Sequence, residues 1–179
     1  TIRLGSTLSD LTGVLSQLAG THRVYPDVAP VFTYAQRPMT PPSVGGTVKV
    51  ASANVLNYFN GNGAGGGFPT SRGADTLAEF NRQRAKVIAA ISGLGADVVG
   101  ILEMENDGTG PASAVQDLVS GLNAVDGAGT WNVIADPLQY NGTNPGTTYL
   151  IRPTIIYKPA VVTPSGASLA LIDSVFNSA

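Results

Sequence analysis

The sequence predicts an α/β fold, and three observations carry that prediction. Short stretches with strand patterning alternate with two stretches of helical periodicity. The 22 glycines and 12 prolines in 179 residues break the chain into short elements. Hydrophobic residues make up 43% and charged residues only 12%, against about 25% charged in an average globular chain. That balance predicts a packed core and excludes a disordered tail or acidic linker. The length suits one domain, or a small domain with part of a larger one.

In the leading segment, Ile2 to Leu4, Leu11 to Leu15 and His22 to Tyr25 read as short strands between Gly, Ser and Asp turns. Three such strands cannot close a core by themselves. Residues 37–46, RPMTPPSVGG, have the composition of a linker. The expected organisation is therefore a small β module over 1–36, a linker over 37–46, and a second domain over 47–179.

Thr47 to Asn54 alternates like a strand, with Val48 and Val50 against Thr47 and Lys49, and Asn54 is expected at its C-terminal end. A glycine-rich stretch follows and reads as a flexible surface loop. From Thr76 to Leu94, Leu77, Phe80, Ala85, Ile88 and Ile91 fall near one helical face, and Thr76 with Glu79 has capping-box spacing. Ala96 to Met104 is an apolar run suited to a strand covered on both faces, interrupted by Glu103. Pro111 is expected to open a second helix, with Val115, Leu118, Val119 and Leu122 on one face and an end at Gly127. Trp131 to Ala135 and Arg152 to Tyr157 read as strands, the second at an edge or bulged because of Pro153. The order of the larger domain is β-α-β-α-β-loop-β.

Several chemistries fall away. A net charge of -2 and a pI near 5.2 leave no broad basic footprint for non-specific nucleic-acid binding, so a phosphate-bearing substrate needs local groups or a metal. With no cysteine there is no disulfide, thiolate zinc site or Cys nucleophile. No apolar run is long enough for a membrane span, and no membrane partner is expected. Gly61, Gly63 and Gly66 match a dinucleotide-binding pattern, but the helix starts too far downstream and no acidic residue follows at the required strand end, so no nucleotide cofactor is expected. His22 is the only histidine and lies in the leading segment, which argues against a Ser-His-Asp triad or a histidine metal site.

What remains is a carboxylate and an amide at the ends of two strands, where open α/β sheets collect ligands. Glu103 closes an apolar strand. It must emerge into solvent, pair with an arginine, or meet a hard cation such as Mg²⁺. Asn54 alone carries less information.

At these residues the chain resembles a family. TVKVASANVLNYFNG, SRGADTLAEFNRQRAKVIAAISGLGADVVGILEMEND and IIYKPAVVTPSG look like the secreted nucleases of the endonuclease/exonuclease/phosphatase superfamily, whose fold is the DNase I-like four-layer α/β sandwich. LTGVLSQLAGTHRVYP and VFTYAQRP resemble the end of an OB-fold-like module that precedes such domains. The resemblance covers about residues 47–167. It implies a metal-dependent phosphodiesterase acting outside the cell on DNA, with RNA as a further substrate, and Mg²⁺ as cofactor with Mn²⁺ or Ca²⁺ as alternatives. It makes Glu103 the catalytic metal ligand and Asn54 a catalytic residue beside the scissile phosphate. Arg72 becomes a candidate nucleic-acid contact; Glu105 and Asn106, which extend the strand end, are lesser site candidates.

The family's general-base His, its GDFN-type Asp and Asn, and its SDH motif have no counterpart in these residues, and GTDAI is replaced by Thr147 to Ile151. The chain is thus expected to be an inactive N-terminal half of such a domain, with an apolar sheet face left uncovered. Another phosphoester hydrolase of the superfamily, and a non-catalytic module binding polyanions or a partner, stand as alternatives.

Overall fold

The computed structural model describes residues 2–137 and 149–169. The chain is mixed α/β and divides into two compact units, Thr1–Thr40 and Pro41–Ala179. The division falls inside the Pro/Gly-rich stretch 37–46.

In the first unit, β1 (Thr7–Leu8) pairs antiparallel with β4 (Phe32–Thr33), and β2 (Gly13–Leu18) pairs antiparallel with β3 (Thr21–Pro26). The β2–β3 hairpin turns on Ala19 and Gly20, both with positive φ, 49° and 77°, the twist that two-residue hairpin loops require. Ile2 to Leu4 is not a strand, and the strand expected from Leu11 begins at Gly13. None of the described residues of this unit is buried, in keeping with how little apolar surface two isolated ribbons can cover. His22 is exposed on β3 opposite Gln17.

The second unit contains β5 (Val50–Tyr58), α1 (Leu77–Leu94), β6 (Val98–Glu105), α2 (Ala114–Asp126), β7 (Asn132–Val133) and β8 (Ile151–Tyr157). Among the described residues its sheet has four strands, in the order β5-β6-β8-β7. β5 and β6 are parallel, joined through α1, while β8 runs antiparallel to both β6 and β7. Thr76 caps α1 by accepting from the Glu79 N–H at 3.2 Å, and the Glu79 carboxylate reaches back to the Asp75 N–H at 3.0 Å. Gly95, at φ 60°, ends the helix with its N–H on the Ser92 carbonyl, in the left-handed conformation that glycine adopts without strain.

Both helices cover one face of the sheet. Phe80, Ile88 and Ile91 of α1 and Val115, Leu118, Val119 and Leu122 of α2 pack with Val55, Tyr58, Val99, Ile101, Met104 and Ile156, each large side chain contributing roughly 1.5–3 kcal/mol on burial. The helices approach closely at Gly121, where an added Cβ would lie 2.3 Å from Ile88 Cδ1.

Four expectations change. β5 begins at Val50 and runs past Asn54 to Tyr58, so Asn54 is interior to the strand. α2 starts at Ala114 under a Ser113 cap, three residues beyond Pro111, because the Ser hydroxyl takes the N–H that would otherwise be unsatisfied. β7 is only Asn132–Val133. The sheet is covered on one face rather than two among the described residues: Val50 is 74% exposed, Leu102 44% and Ile155 46%. β8 lies between β6 and β7 in the strand order, and of the two readings of Pro153, edge or bulge, the register shift opposite it bears out the bulge. No helix among the described residues is long and apolar enough to cross a membrane.

Candidate functional site

Alternation along β6 would send residues 99, 101 and 103 to the helix-covered face. Val99 and Ile101 are indeed buried, but the next buried residue is Met104. The register explains the change of phase. Ile101 faces Thr154 and Met104 faces Arg152, so Leu102 and Glu103 together oppose Pro153. Proline has no N–H to give a ladder, and the extra residue is accommodated there as a bulge. Glu103 takes a left-handed φ of 62° and is displaced from the core position that Met104 fills.

The neighbouring strand breaks phase at the same level. Ala51, Ala53 and Val55 turn toward the helices, then Tyr58. Asn54 pairs with Leu102 and Tyr58 with Met104, leaving residues 55–57 opposite Glu103. Leu56 and Asn57 have φ of 61° and 53°. Side-chain-bearing residues in this region cost about 1–3 kcal/mol each, and here three of them gather at one point of the sheet.

The two irregularities bring the candidate residues together. Asn54 Nδ2 donates to Glu103 Oε1 at 2.7 Å, and Asn54 Oδ1 accepts from the Leu56 N–H at 2.8 Å. These bonds set the orientation of the Asn54 amide. They also commit its oxygen to the backbone, so a cation here would be held by Glu103, whose other oxygen has no hydrogen-bond partner among the described residues. One carboxylate suits a hard cation such as Mg²⁺ that keeps most of its water shell. No group of three or more acidic or histidine side chains among the described residues is arranged to hold a metal.

The lesser candidates fall in different places. Arg72 is exposed and forms no hydrogen bond or ion pair with a described residue. Its neighbour Gly73 packs on the irregular end of β5, where an added Cβ would be 2.8 Å from the Asn57 carbonyl oxygen and 2.9 Å from Phe59 Cβ. Glu105 Oε2 accepts from the Asn60 N–H at 3.2 Å. Burial, and after it the charge of Asp107, push the Glu105 carboxyl up to about 7. Asp107 is likewise raised by burial, against the N–H it accepts from Ala114. Asn106 is engaged in structure: its N–H meets the Leu150 carbonyl and its Nδ2 the Tyr149 carbonyl. Thr147 and Thr148 lie outside the described residues.

The glycine-rich stretch is built rather than loose. Asn62 Oδ1 accepts from the Ala64 and Gly66 N–H groups, and the Asn62 N–H bonds the Gly66 carbonyl. A Cβ on Gly63 would stand 2.4 Å from the Ala112 carbonyl oxygen.

Two groups supporting the site are absent from the sequence reading. Gln83 of α1 reaches the backbone of the β5 irregularity. Tyr58, fully buried just beyond it, donates its hydroxyl to Asp117 Oδ2 at 2.6 Å, and Arg84 Nε bonds the same carboxylate at 2.8 Å. Burial, the Asp117 hydrogen bond and its charge together hold the Tyr58 hydroxyl far above its ordinary pKa. The only visible sign of either group was a polar residue inside an amphipathic helix.

Comparison of the chain with models of known protein families, with curated proteins and with solved structures finds no match.

Proposed function

We propose that Asn54 and Glu103 belong to the active site of a secreted, metal-dependent phosphodiesterase that hydrolyses DNA, with RNA as a further substrate, on a DNase I-like sandwich of which residues 47–179 form the N-terminal part; residues 1–36 are read as part of an OB-like module. One observation carries the proposal: the 2.7 Å contact between the Asn54 amide and the Glu103 carboxylate at the meeting point of two strand irregularities. Three left-handed, non-glycine residues lie at one level of the sheet, and such strain gathers at functional sites. Mg²⁺ bound there would neutralise charge on a scissile phosphate and orient its oxygens. Glu103 would hold the ion, while Asn54 fixes the carboxylate and offers an uncharged N–H near the phosphate. Arg72, exposed beside the same strand end, is the phosphate contact proposed from this unit. The general base is not among the residues of this unit, which has no histidine, so the 179-residue chain alone is read as inactive.

The test uses Mn²⁺ as the probe, followed by water-proton relaxation. The chain should bind it, and Glu103→Gln should weaken binding at least about 10-fold with the fold retained. Equal affinity in the two proteins overturns the metal-site reading. Duplex oligonucleotide binding that ignores both Mg²⁺ and Glu103→Gln would establish the polyanion-binding module instead.

A further inference from the structure

We infer that Gln83 is the positioning residue of this site: it holds the irregular segment 55–57 in the conformation that presents Asn54 to Glu103. The inference rests on the reading of Asn54 and Glu103 as a metal-dependent site. Its structural part stands without that reading.

The argument begins with carbonyl groups that must find partners. Residues 55–57 have no counterpart in the β5–β6 register, and backbone carbonyls taken out of a ladder need other donors. Gln83 supplies them. Its Nε2 lies 2.9 Å from the Val55 oxygen and 2.7 Å from the Leu56 oxygen, with the Asn57 oxygen at 3.5 Å. One side-chain amide thus spans the whole segment in which Leu56 and Asn57 adopt positive φ.

The chemistry of the residue fits the task. A primary amide has two N–H donors and carries no charge, so it can serve adjacent carbonyls without adding a cation that would compete for Glu103. Its base is firm, because Gln83 projects from α1 between Phe80 and Ile88, both buried. The connection to the site is short. The segment Gln83 holds includes Leu56, whose N–H fixes Asn54 Oδ1, and the same Asn54 amide donates to Glu103. Without the clamp, the left-handed residues are free to relax toward regular strand geometry, and the Asn54 amide loses its fixed direction. Partners of this kind, one step removed from a metal ligand, typically change metal affinity about 10–100-fold when removed.

The test compares the chain with Gln83→Glu, nearly isosteric but without the donors when ionised, and Gln83→Met, of similar length and apolar. Amide exchange of Leu56 is followed by NMR, with Ile101 as a reporter of the core and Mn²⁺ binding as the functional readout. The expected result is Leu56 exchange faster by about 10-fold or more in both variants, as loss of its local hydrogen-bond support implies, with Ile101 unchanged and Mn²⁺ affinity lowered at least about 10-fold. Leu56 exchange within about 2-fold of wild type in both variants overturns the inference, since that is less than one ordinary hydrogen bond contributes. So does faster Leu56 exchange with unchanged Mn²⁺ affinity. Loss of protection at Ile101 in both variants makes Gln83 a scaffold residue and also overturns it. If the wild-type chain binds no Mn²⁺, the metal-site reading falls, and Leu56 exchange alone decides whether Gln83 holds the segment.

Discussion

Asn54 and Glu103 are 49 positions apart in the chain, and the amide nitrogen of one lies 2.7 Å from a carboxylate oxygen of the other. The contact is directional, with the amide as donor. Asn54→Asp removes the donor and sets two carboxylates against each other, and is expected to destabilise the chain by about 1–2 kcal/mol. Glu103→Gln leaves an oxygen in place to accept, and should cost less than about 1 kcal/mol. Urea denaturation of the two variants tests this. Equal losses would mean that the hydrogen bond contributes nothing to stability.

Stability should depend on pH through Glu105. Its carboxyl is raised from an ordinary 4.5 to about 7, by burial first and then by Asp107. Between those two values the folded chain holds a proton that the unfolded chain has released, so stability falls as pH rises across the window and levels off above it. Glu105→Gln should flatten that slope. The check is a set of urea midpoints across the window in the presence of a chelator, where an unchanged slope would refute the assignment.

Two glycines of the loop after β5 provide a contrast. Gly63 has φ 70° and no room, an added Cβ meeting the Ala112 carbonyl oxygen at 2.4 Å, while Gly65 has φ 86° and its nearest neighbour, Leu77 Cδ2, at 3.7 Å. Gly65→Ala should cost only the backbone term, about 1–2 kcal/mol. Gly63→Ala should add about 1–3 kcal/mol for overpacking. Thermal melts of both variants decide it, and a Gly63→Ala variant as stable as Gly65→Ala would mean that the loop is not packed against Ala112.

The Tyr58, Asp117 and Arg84 network should also respond unequally. Tyr58→Phe leaves Asp117 paired with Arg84 and is expected to cost about 1–2 kcal/mol. Asp117→Ala strands a buried hydroxyl and a guanidinium together, and should cost about 2–4 kcal/mol. A larger loss from Tyr58→Phe than from Asp117→Ala would contradict the network.

How much of this was legible depends on whether the cause is local. The start of α1 could be read because Thr76 and Glu79 are three residues apart and meet within one turn. The face of α2 could be read because Val115, Leu118, Val119 and Leu122 repeat with the helix. Its start could not, since both Pro111 and Ser113 are competent helix openers. Asn54 and Glu103 were visible as residue types but were expected at strand ends, whereas β5 and β6 run on to Tyr58 and Glu105. Their meeting depends on phase breaks in two strands, one of them opposite Pro153, a residue far along the chain. Gln83 looked like any polar residue on a helix, because its partners are carbonyls of a distant strand. The glycine-rich stretch looked loose because nothing in its composition reveals that Asn62 ties it together.

The open side of the sheet bears on solubility. β5 lies at the end of the strand order, and Val48, Val50, Leu102 and Ile155 are all exposed on or beside the uncovered strands. An edge left unpaired among the described residues, next to an apolar surface, is a template on which copies of the same chain can stack. At high concentration the chain in isolation should therefore form assemblies whose size rises with protein content and with kosmotropic salt, which strengthens apolar association. Val50→Lys, at a position that is 74% exposed, would place a charge on that template and leave the helix-covered core untouched. Crystallisation and NMR of this chain stand to gain more from that one charge than from any change to the candidate site.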